Sequence, residues 1–446
     1  MNGTDQAAAL TAGAVLLLQQ FALRQGGRMP RVDELEKWLH DGGREFVDGD
    51  SGNDNVRTAN GTTVILNAIG LPGIDDANYA AIKEELCRYG EPFEDIAPED
   101  ADWLDPDPLA RPLSALYIPG EHAVNAELLL NELNVAFLRA GGTALPELAV
   151  RVEYSRGKVG GIVLASGTML SAGHVVLAAG ACSQELLDTV PDVGPSVPPI
   201  LSGHGVSLLV RTRDGATPSS VIRTPNRSFA CGLHVVPRKN GEIYIGATNT
   251  IKLKPAEMPE IGDIHFLFEV SMRQLRRNLI DGTVAKIKTG NRPFALDGYP
   301  LLGEVGIAGL WMMTGTYRDG LHLSPLLARE MSSRILGEEP LVDLEMFRPV
   351  REPIQVATRK EIVTETVMHS LAAGFEYGWN MPVFWPPIIE EQMRTAYLEL
   401  ACRIHPSLTP PPEVLDSALE HPDLVKVIQN YYAASGGMSG QATGGC

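Results

Sequence analysis

Two short runs hold residue types that suit an anionic or electron-rich ligand. The first is Gly315-Thr316-Tyr317-Arg318-Asp319-Gly320-Leu321-His322-Leu323-Ser324-Pro325. Gly315 and Gly320 bracket an Arg-Asp pair, and an apolar, helix-like run over residues 326–335 follows directly. A glycine-bounded loop entering a helix turns backbone N–H groups toward one point. The second run is Arg292-Pro293-Phe294-Ala295-Leu296-Asp297-Gly298-Tyr299-Pro300. Arg292 stands between Gly290 and Pro293, which predicts a turn-constrained frame for its side chain. Arg292 and Arg318 together offer the planar fork that matches a carboxylate.

Composition narrows what such a site serves. The 446 residues allow two or three domains, or one two-domain enzyme with an appendage. Hydrophobic content of 44% beside 21% charged residues is ordinary for a globular chain. The formal net charge of −18 argues against nucleic acid, because binding phosphates along a duplex needs a basic face. A small anion needs only a local pair of arginines. The cysteines, Cys87, Cys182, Cys231, Cys402 and Cys446, are odd in number and widely spaced. Neither a disulfide framework nor a zinc site is expected, and reduced thiols in the cytoplasm are the reading. Residues 7–23 are apolar, but Asp5, Gln19 and Gln20 and the lack of upstream Lys or Arg predict a buried helix rather than a signal or membrane span.

Helices are expected over 8–24, 32–39, 75–89, 123–140 and 263–279, and from 328 toward 336. Strand-type runs fall at 62–68, 148–154, 160–165, 175–179 and 206–210. Residues 148–165 predict a hairpin about Ser155-Arg156-Gly157-Lys158, and 234–247 a second hairpin about Arg238-Lys239-Asn240-Gly241. Proline-rich punctuation at 380–387 and 405–412 separates helices over 388–404 and 413–432. The tail 435–446 is Gly/Ser-rich and expected to be disordered.

Three further runs bear on chemistry. Val175-Val176-Leu177-Ala178-Ala179-Gly180-Ala181 is a buried strand ending in small residues, which let backbone approach a flat ligand. Ser51-Gly52-Asn53-Asp54-Asn55 is either a plain turn or a ligand-lining segment. Val235-Val236-Pro237-Arg238-Lys239-Asn240-Gly241-Glu242-Ile243-Tyr244-Ile245-Gly246-Ala247-Thr248 precedes Arg292 and Arg318 in fixed order. Taken with the first two, these runs resemble the D-amino-acid-oxidase-like family of FAD oxidoreductases, the glycine oxidase and sarcosine oxidase type. The resemblance covers roughly residues 51–336.

The resemblance implies an α/β fold. An incomplete Rossmann-type FAD-binding domain (1–200 and 285–345) would carry a mixed antiparallel-sheet substrate domain (80–140 and 201–284). Residues 346–446 would be a helical extension. It implies FAD as cofactor, with Ser51, Gly52, Asn53, Val150, Ala179, Gly180, Gly315, Asp319, Gly320 and Leu321 around it. Arg292 would bind the substrate carboxylate, Arg318 would be the second arginine of the flavin loop, and His234 would stand where the glycine-oxidase type offers an aromatic hydroxyl. The implied reaction is hydride transfer from an amine or amino-acid Cα–H to the flavin, giving an imine that hydrolyses.

One element departs from the pattern. A Rossmann site opens with a strand, then G-x-G-x-x-G, then a helix. Residues 3–13 do not offer that glycine spacing. Three readings stay open: a start that was lost, a partner subunit or second copy that supplies the element, or a chain that binds FAD weakly or not at all. The last two shade into a non-catalytic, subunit-type homologue that acts in binding or assembly. Residues 375–385 cluster Phe375, Tyr377, Trp379, Phe384 and Trp385 beside prolines. They suit either an interface or the docking of the C-terminal region onto the chain's own body.

Overall fold

The computed structural model describes residues 61–67, 75–225, 232–238, 241–376, 382 and 385–435. The expected helices at 8–24 and 32–39, the missing glycine fingerprint, the Ser51 run and most of the aromatic cluster lie outside these residues.

The fold is mixed α/β, as expected. Its centre is strand β8 (Ile200–Arg211), whose alternation explains most of the architecture. Val206, Leu208 and Val210 point to one face. They are buried with Val235, Ile243, Ile245 and Ile222 against Leu267, Val270 and Leu275 of helix α4 (Ile261–Gln274) and its end. Leu201, Gly203, Gly205, Ser207 and Leu209 point to the other. Because strand side chains alternate, the apolar positions commit the first face to the core and leave the second with a side-chain-free stretch only at Gly203 and Gly205.

The other strands assemble around β8. Along one edge run β11 (Glu242–Gly246) and β12 (Thr250–Lys252), and along the other runs β13 (Thr283–Ala295). The sheet continues from β11 through β10 (His234–Pro237), β9 (Val221–Arg223), β1 (Thr62–Asn67) and β3 (Pro112–Ile118) to β2 (Glu94–Ile96). Every pairing is antiparallel except β1 with β9.

Two smaller sheets stand apart. Strands β4 (Ala149–Ser155), β5 (Lys158–Leu164) and β6 (Met169–Ser171) form a meander. Its first turn holds Arg156 and Gly157 both at positive φ (49° and 72°), the pair of left-handed residues that a two-residue hairpin demands. Strand β7 (Val175–Leu177) lies parallel to β15 (Leu310–Thr314), which pairs antiparallel with β14 (Leu301–Glu304).

Several expectations need correction. Arg292 is not in a turn: it lies inside β13, opposite Gly203. The Gly-Asn-Arg-Pro run masked a 13-residue strand, because Pro293 tolerates an extended backbone and its partner strand is distant. The helix expected from 328 starts at Gly320 and contains Pro325: α5 is Gly320–Leu336. Proline removes an amide, but Ser324 Oγ donates to the Leu321 carbonyl that this amide would have met. Gly337, at φ 73°, ends it. The helix expected over 263–279 stops at Gln274 and gives way to a tight turn at Arg277–Asp281. The helix expected over 413–432 is two, α8 (Pro412–Glu420) and α9 (Pro422–Ser435), broken at Pro422.

Helices α1 (Asp75–Tyr89), α2 (Ala126–Arg139) and α3 (Ser183–Leu187) decorate the sheets. Helices α6 (Arg359–Glu376), α7 (Trp385–Ile404), α8 and α9 form the C-terminal region. They do not stand off the body. Ile362, Val367, Leu400, Val414, Leu415 and Ile428 share one buried cluster with Leu201, Ile251, Phe294 and Leu296. For the described helices, docking on the chain's own body is what the structure shows. Among the described residues no helix is long and apolar enough to cross a membrane.

Candidate active site

The floor of the candidate site is the second face of the large sheet. Gly203 and Gly205 on β8 and Gly246 on β11 share it with Phe294 and Arg292 on β13, Tyr244 on β11, His234 on β10 and Arg223 on β9. The register carries this assignment: His234 is opposite both Gly246 and Arg223, and Gly246 is opposite Ser207.

Arg292 lies flat on the glycines. A Cβ built at Gly205 would come within 2.3 Å of Arg292 Nη1, and one at Gly203 within 3.3 Å of Arg292 Cβ. Nη1 donates to the carbonyls of Gly203 (3.4 Å) and Thr248 (3.3 Å) and to Asn249 Oδ1 (3.2 Å). The guanidinium is thereby anchored through one nitrogen. Its opposite edge carries Nη2 and Nε, the pair that makes a bidentate contact.

A hydrogen-bonded chain connects this arginine to the glycine loop. Asn249 Nδ2 donates to Tyr317 Oη at 2.5 Å, and Arg318 Nη2 donates to the same oxygen at 3.0 Å. The Arg318 guanidinium also sits 4.7 Å from the Tyr317 ring centre, and the Phe294 ring meets that ring edge-on at 4.7 Å. Tyr317 itself has φ 49°, a left-handed conformation unusual for a large side chain, held by the hydrogen bond its backbone N–H donates to the Pro293 carbonyl at 2.9 Å.

His234 stacks on Tyr244, with ring centres 5.6 Å apart. Burial, then the charge of Arg292, and further those of Arg223 and Arg318, push its pKa down to about 4 against a backbone hydrogen bond at Gly232. The imidazole is therefore neutral near pH 7 and leaves the positive charge of the site to the arginines.

The glycine loop continues from the parallel pair β7–β15. Both strands end at the same side, β7 at Ala178-Ala179-Gly180 and β15 at Gly315. Ligands of open α/β sheets bind outside such carboxyl ends. Thr314 Oγ1 ties the two by donating to the Gly180 carbonyl at 3.2 Å. Gly180 (φ 59°) and Gly315 (φ 75°) both need left-handed backbone, and a Cβ at Gly315 would press on Leu301 N at 3.2 Å. Asp319 is the N-cap of α5 but makes no side-chain cap bond, so the first-turn amides from Gly320 onward are not capped by it.

The structure thus brings together Arg292, Arg318 and His234, and separately Ala179, Gly180, Gly315, Asp319, Gly320 and Leu321. Val150 lies on β4 with 43% exposure, in the meander sheet. Ser51, Gly52 and Asn53 fall outside the described residues. Sequence reading missed Asn249, Tyr244 and Tyr317 as companions of Arg292. The alternating Gly203-His204-Gly205 was visible in the sequence and marks the floor on which Arg292 rests.

Comparison with known proteins agrees with this geometry. The model of the family described as FAD dependent oxidoreductase matches residues 23–334. Glycine oxidase of Pseudomonas putida is 31% identical over 243 residues, 53% of this chain and 61% of that protein, so the chain spans less than two thirds of this relative's length. Glycine oxidase of Pseudomonas aeruginosa is 27% identical over 287 residues, 64% of this chain and 75% of that one. In three dimensions the crystal structure of glycine oxidase from Geobacillus kaustophilus superposes with a TM-score of 0.59 at 23% identity, covering 72% of this chain and 81% of that one. The glycine-floored arginine, the glycine turn into α5 and a family match over most of the chain lead to one conclusion: the chain belongs to the FAD dependent oxidoreductase family.

Proposed function

We propose that this chain oxidises the C–N bond of a small amino acid, with FAD as the acceptor. The observation that carries the reading is Arg292, laid across Gly205 and Gly203 and tied through Asn249 and Tyr317 to the loop that enters α5. That arrangement would hold a carboxylate at a fixed height over the sheet, beside the loop.

The residues present fit a flavin on one structural ground. The turn Gly315–Asp319 leaves the parallel strand β15 and delivers first-turn amides that the Asp319 side chain does not cap. Such amides suit an electron-rich heterocycle edge, and those of Gly320 and Leu321 would hold it, while the Asp319 amide closes the turn by donating to the Thr316 carbonyl at 2.9 Å. Ala179 and Gly180 would let the nucleotide part approach the end of β7. Bound FAD would supply the two-electron oxidising power that no side chain has.

The chain's own residues do the rest. Arg292 would orient the substrate by its carboxylate, which converts a collision into a fixed approach. Neutral His234 would border the substrate without adding a competing cation. Arg318, stacked on Tyr317, would add positive potential beside the loop, where charge develops. The substrate would leave as an imine that water hydrolyses.

The test is anaerobic mixing of the FAD-supplied chain with glycine, N-methylglycine and D- and L-amino acids, following the visible flavin absorption. Bleaching by one of them supports the reading, and persistence of the absorption with all of them rejects it. The same proposal includes low flavin occupancy of this chain produced alone, raised by a partner subunit or by a longer N-terminus, because residues 3–13 do not offer the phosphate-binding glycine spacing. Full flavin occupancy in the chain produced alone would remove that part.

A further inference from the structure

Side chains from three distant parts of the chain converge over Gly203. A Cβ built there would lie 3.0 Å from Asn249 Oδ1, 3.0 Å from Tyr317 Cε2 and 3.3 Å from Arg292 Cβ. Asn249 belongs to the short link between β11 and β12, Arg292 to β13, and Tyr317 to the loop that enters α5. The Asn249 amide has one orientation open to it. A guanidinium only donates, so Oδ1 must face Arg292 Nη1, at 3.2 Å, and this turns Nδ2 toward Tyr317 Oη, at 2.5 Å. Arg318 Nη2 donates to the same oxygen at 3.0 Å. A second tie runs through backbone, from the Tyr317 N–H to the Pro293 carbonyl at 2.9 Å. It fixes the strand beside Arg292, whereas Asn249 acts on the guanidinium itself.

We propose that Asn249 is a positioning residue that couples the two halves of the site, so that a flavin at the loop and a carboxylate at Arg292 each strengthen the binding of the other. The inference rests on the reading that Arg292 holds the substrate carboxylate and the loop holds the flavin. Arginine is a long side chain, and presenting Nε and Nη2 as a fixed fork costs it rotamer freedom. Its Nη1 meets three acceptors: the carbonyls of Gly203 and Thr248, and Asn249 Oδ1. The two carbonyls are held by the sheet, Gly203 within β8 and Thr248 through its bonds with the Val206 backbone. Asn249 Oδ1 is the acceptor that follows the loop, because the other end of its amide is bonded to Tyr317. A ligand that orders the loop therefore orders Tyr317, Asn249 and the fork together, and the second ligand meets a site already arranged. The consequence is that the chain holds substrate tightly only where its electron acceptor is in place.

The test uses the full chain and two probes, FAD and acetate. Calorimetry measures acetate binding with and without saturating FAD, and FAD binding with and without saturating acetate. The proteins are the wild type, Asn249→Ala, Tyr317→Phe, the double variant and Arg292→Lys, each checked for folding by near-ultraviolet circular dichroism. In the wild type FAD should tighten acetate binding by about fivefold or more, and acetate should tighten FAD binding by the same factor, because coupling is reciprocal. Asn249→Ala and Tyr317→Phe should each abolish that factor. The double variant should do no more than either single change, because both cut the same chain. A side chain that only supported the fold would lower affinities and leave the factor intact, so an unchanged factor in Asn249→Ala overturns the inference. Absence of coupling in the wild type overturns it as well, and so does coupling that survives in Tyr317→Phe. In any of these cases, weakened acetate binding in Arg292→Lys leaves the carboxylate reading standing. Failure of the wild type to bind FAD or acetate overturns the reading of the site together with the inference.

Discussion

The Arg292 guanidinium occupies the volume that a side chain at residue 205 would take: a Cβ on Gly205 would lie 2.3 Å from Nη1 and 2.6 Å from the Thr248 carbonyl oxygen. Glycine at 205 is thus a condition for the arginine's position. Gly205→Ala is expected to lift Arg292 off the floor and strain the backbone against Thr248. Overpacking of this kind typically costs about 1–3 kcal/mol. Carboxylate titration should show at least about tenfold weaker binding, and urea unfolding a lowered midpoint. Unchanged binding would mean that the arginine does not need this height.

Arg292→Lys tests the fork itself. Lysine retains the charge but presents a point donor in place of a planar pair. Loss of a charged hydrogen bond costs about 1.5–3 kcal/mol, which is roughly 10- to 150-fold in affinity. Substrate or carboxylate-inhibitor affinity should fall by that factor while FAD affinity stays level. Equal loss of both would place Arg292 in the general architecture rather than at the substrate.

Asp297 and Arg351 form a buried bidentate pair, with Nε to Oδ2 at 2.8 Å and Nη2 to Oδ1 at 2.7 Å, and both side chains are almost fully enclosed. Arg351 also donates to the carbonyls of Tyr299 and Pro300. This clamps the C-terminal region to the turn that leads from β13 to β14. Asp297→Asn leaves the guanidinium buried without its counter-charge. The expected loss is about 3–5 kcal/mol of stability, read by denaturant unfolding. A loss near zero would show that the pair is not buried in solution.

His234 and Glu413 should bend the pH–stability curve in opposite senses. The His234 pKa is depressed to about 4, so its contribution is present above the ordinary value near 6.5 and lost as pH falls from there toward 4. The Glu413 pKa is raised to about 7, so its contribution is present below about 4.5 and lost as pH rises from there through 7. Urea midpoints between pH 4 and 8 for His234→Gln should show less loss on the acid side than wild type. Those for Glu413→Gln should show less loss toward pH 7. Parallel curves for all three proteins would contradict both shifts.

Removing residues 346–446 would expose Leu201, Ile251, Phe294 and Leu296, which are fully buried under α6–α9. Apolar burial of this kind contributes about 25 cal/mol per Å². The truncated chain is expected to aggregate, as judged by size-exclusion chromatography. A soluble, monomeric product with native circular dichroism would show instead that the C-terminal helices are a detachable module.

Local chemistry was legible in the sequence wherever it depended on near neighbours. The hairpins at 155–158 and 238–241, the Gly315–Gly320 loop, and the order of the 234–248 run, Arg292 and Arg318 are all properties of adjacent residues. Glycine and turn residues act through φ and ψ at their own positions, so their meaning survives without a partner. The expectations that failed depended on distant partners. Arg292 read as a turn residue because β13 is extended only through its pairing with β8, whose Gly203 lies 89 residues away. The helix α5 read as starting late because Pro325 breaks a helix unless a neighbour satisfies the freed carbonyl, and Ser324 does so in the folded chain. Glu413 had no signal at all. A glutamate in the first turn of an amphipathic helix is indistinguishable from a solvated one until the helix is docked. Its environment exists only because α8 packs on Ile251 and Tyr317, and burial and charge are properties of that packing, not of the residue.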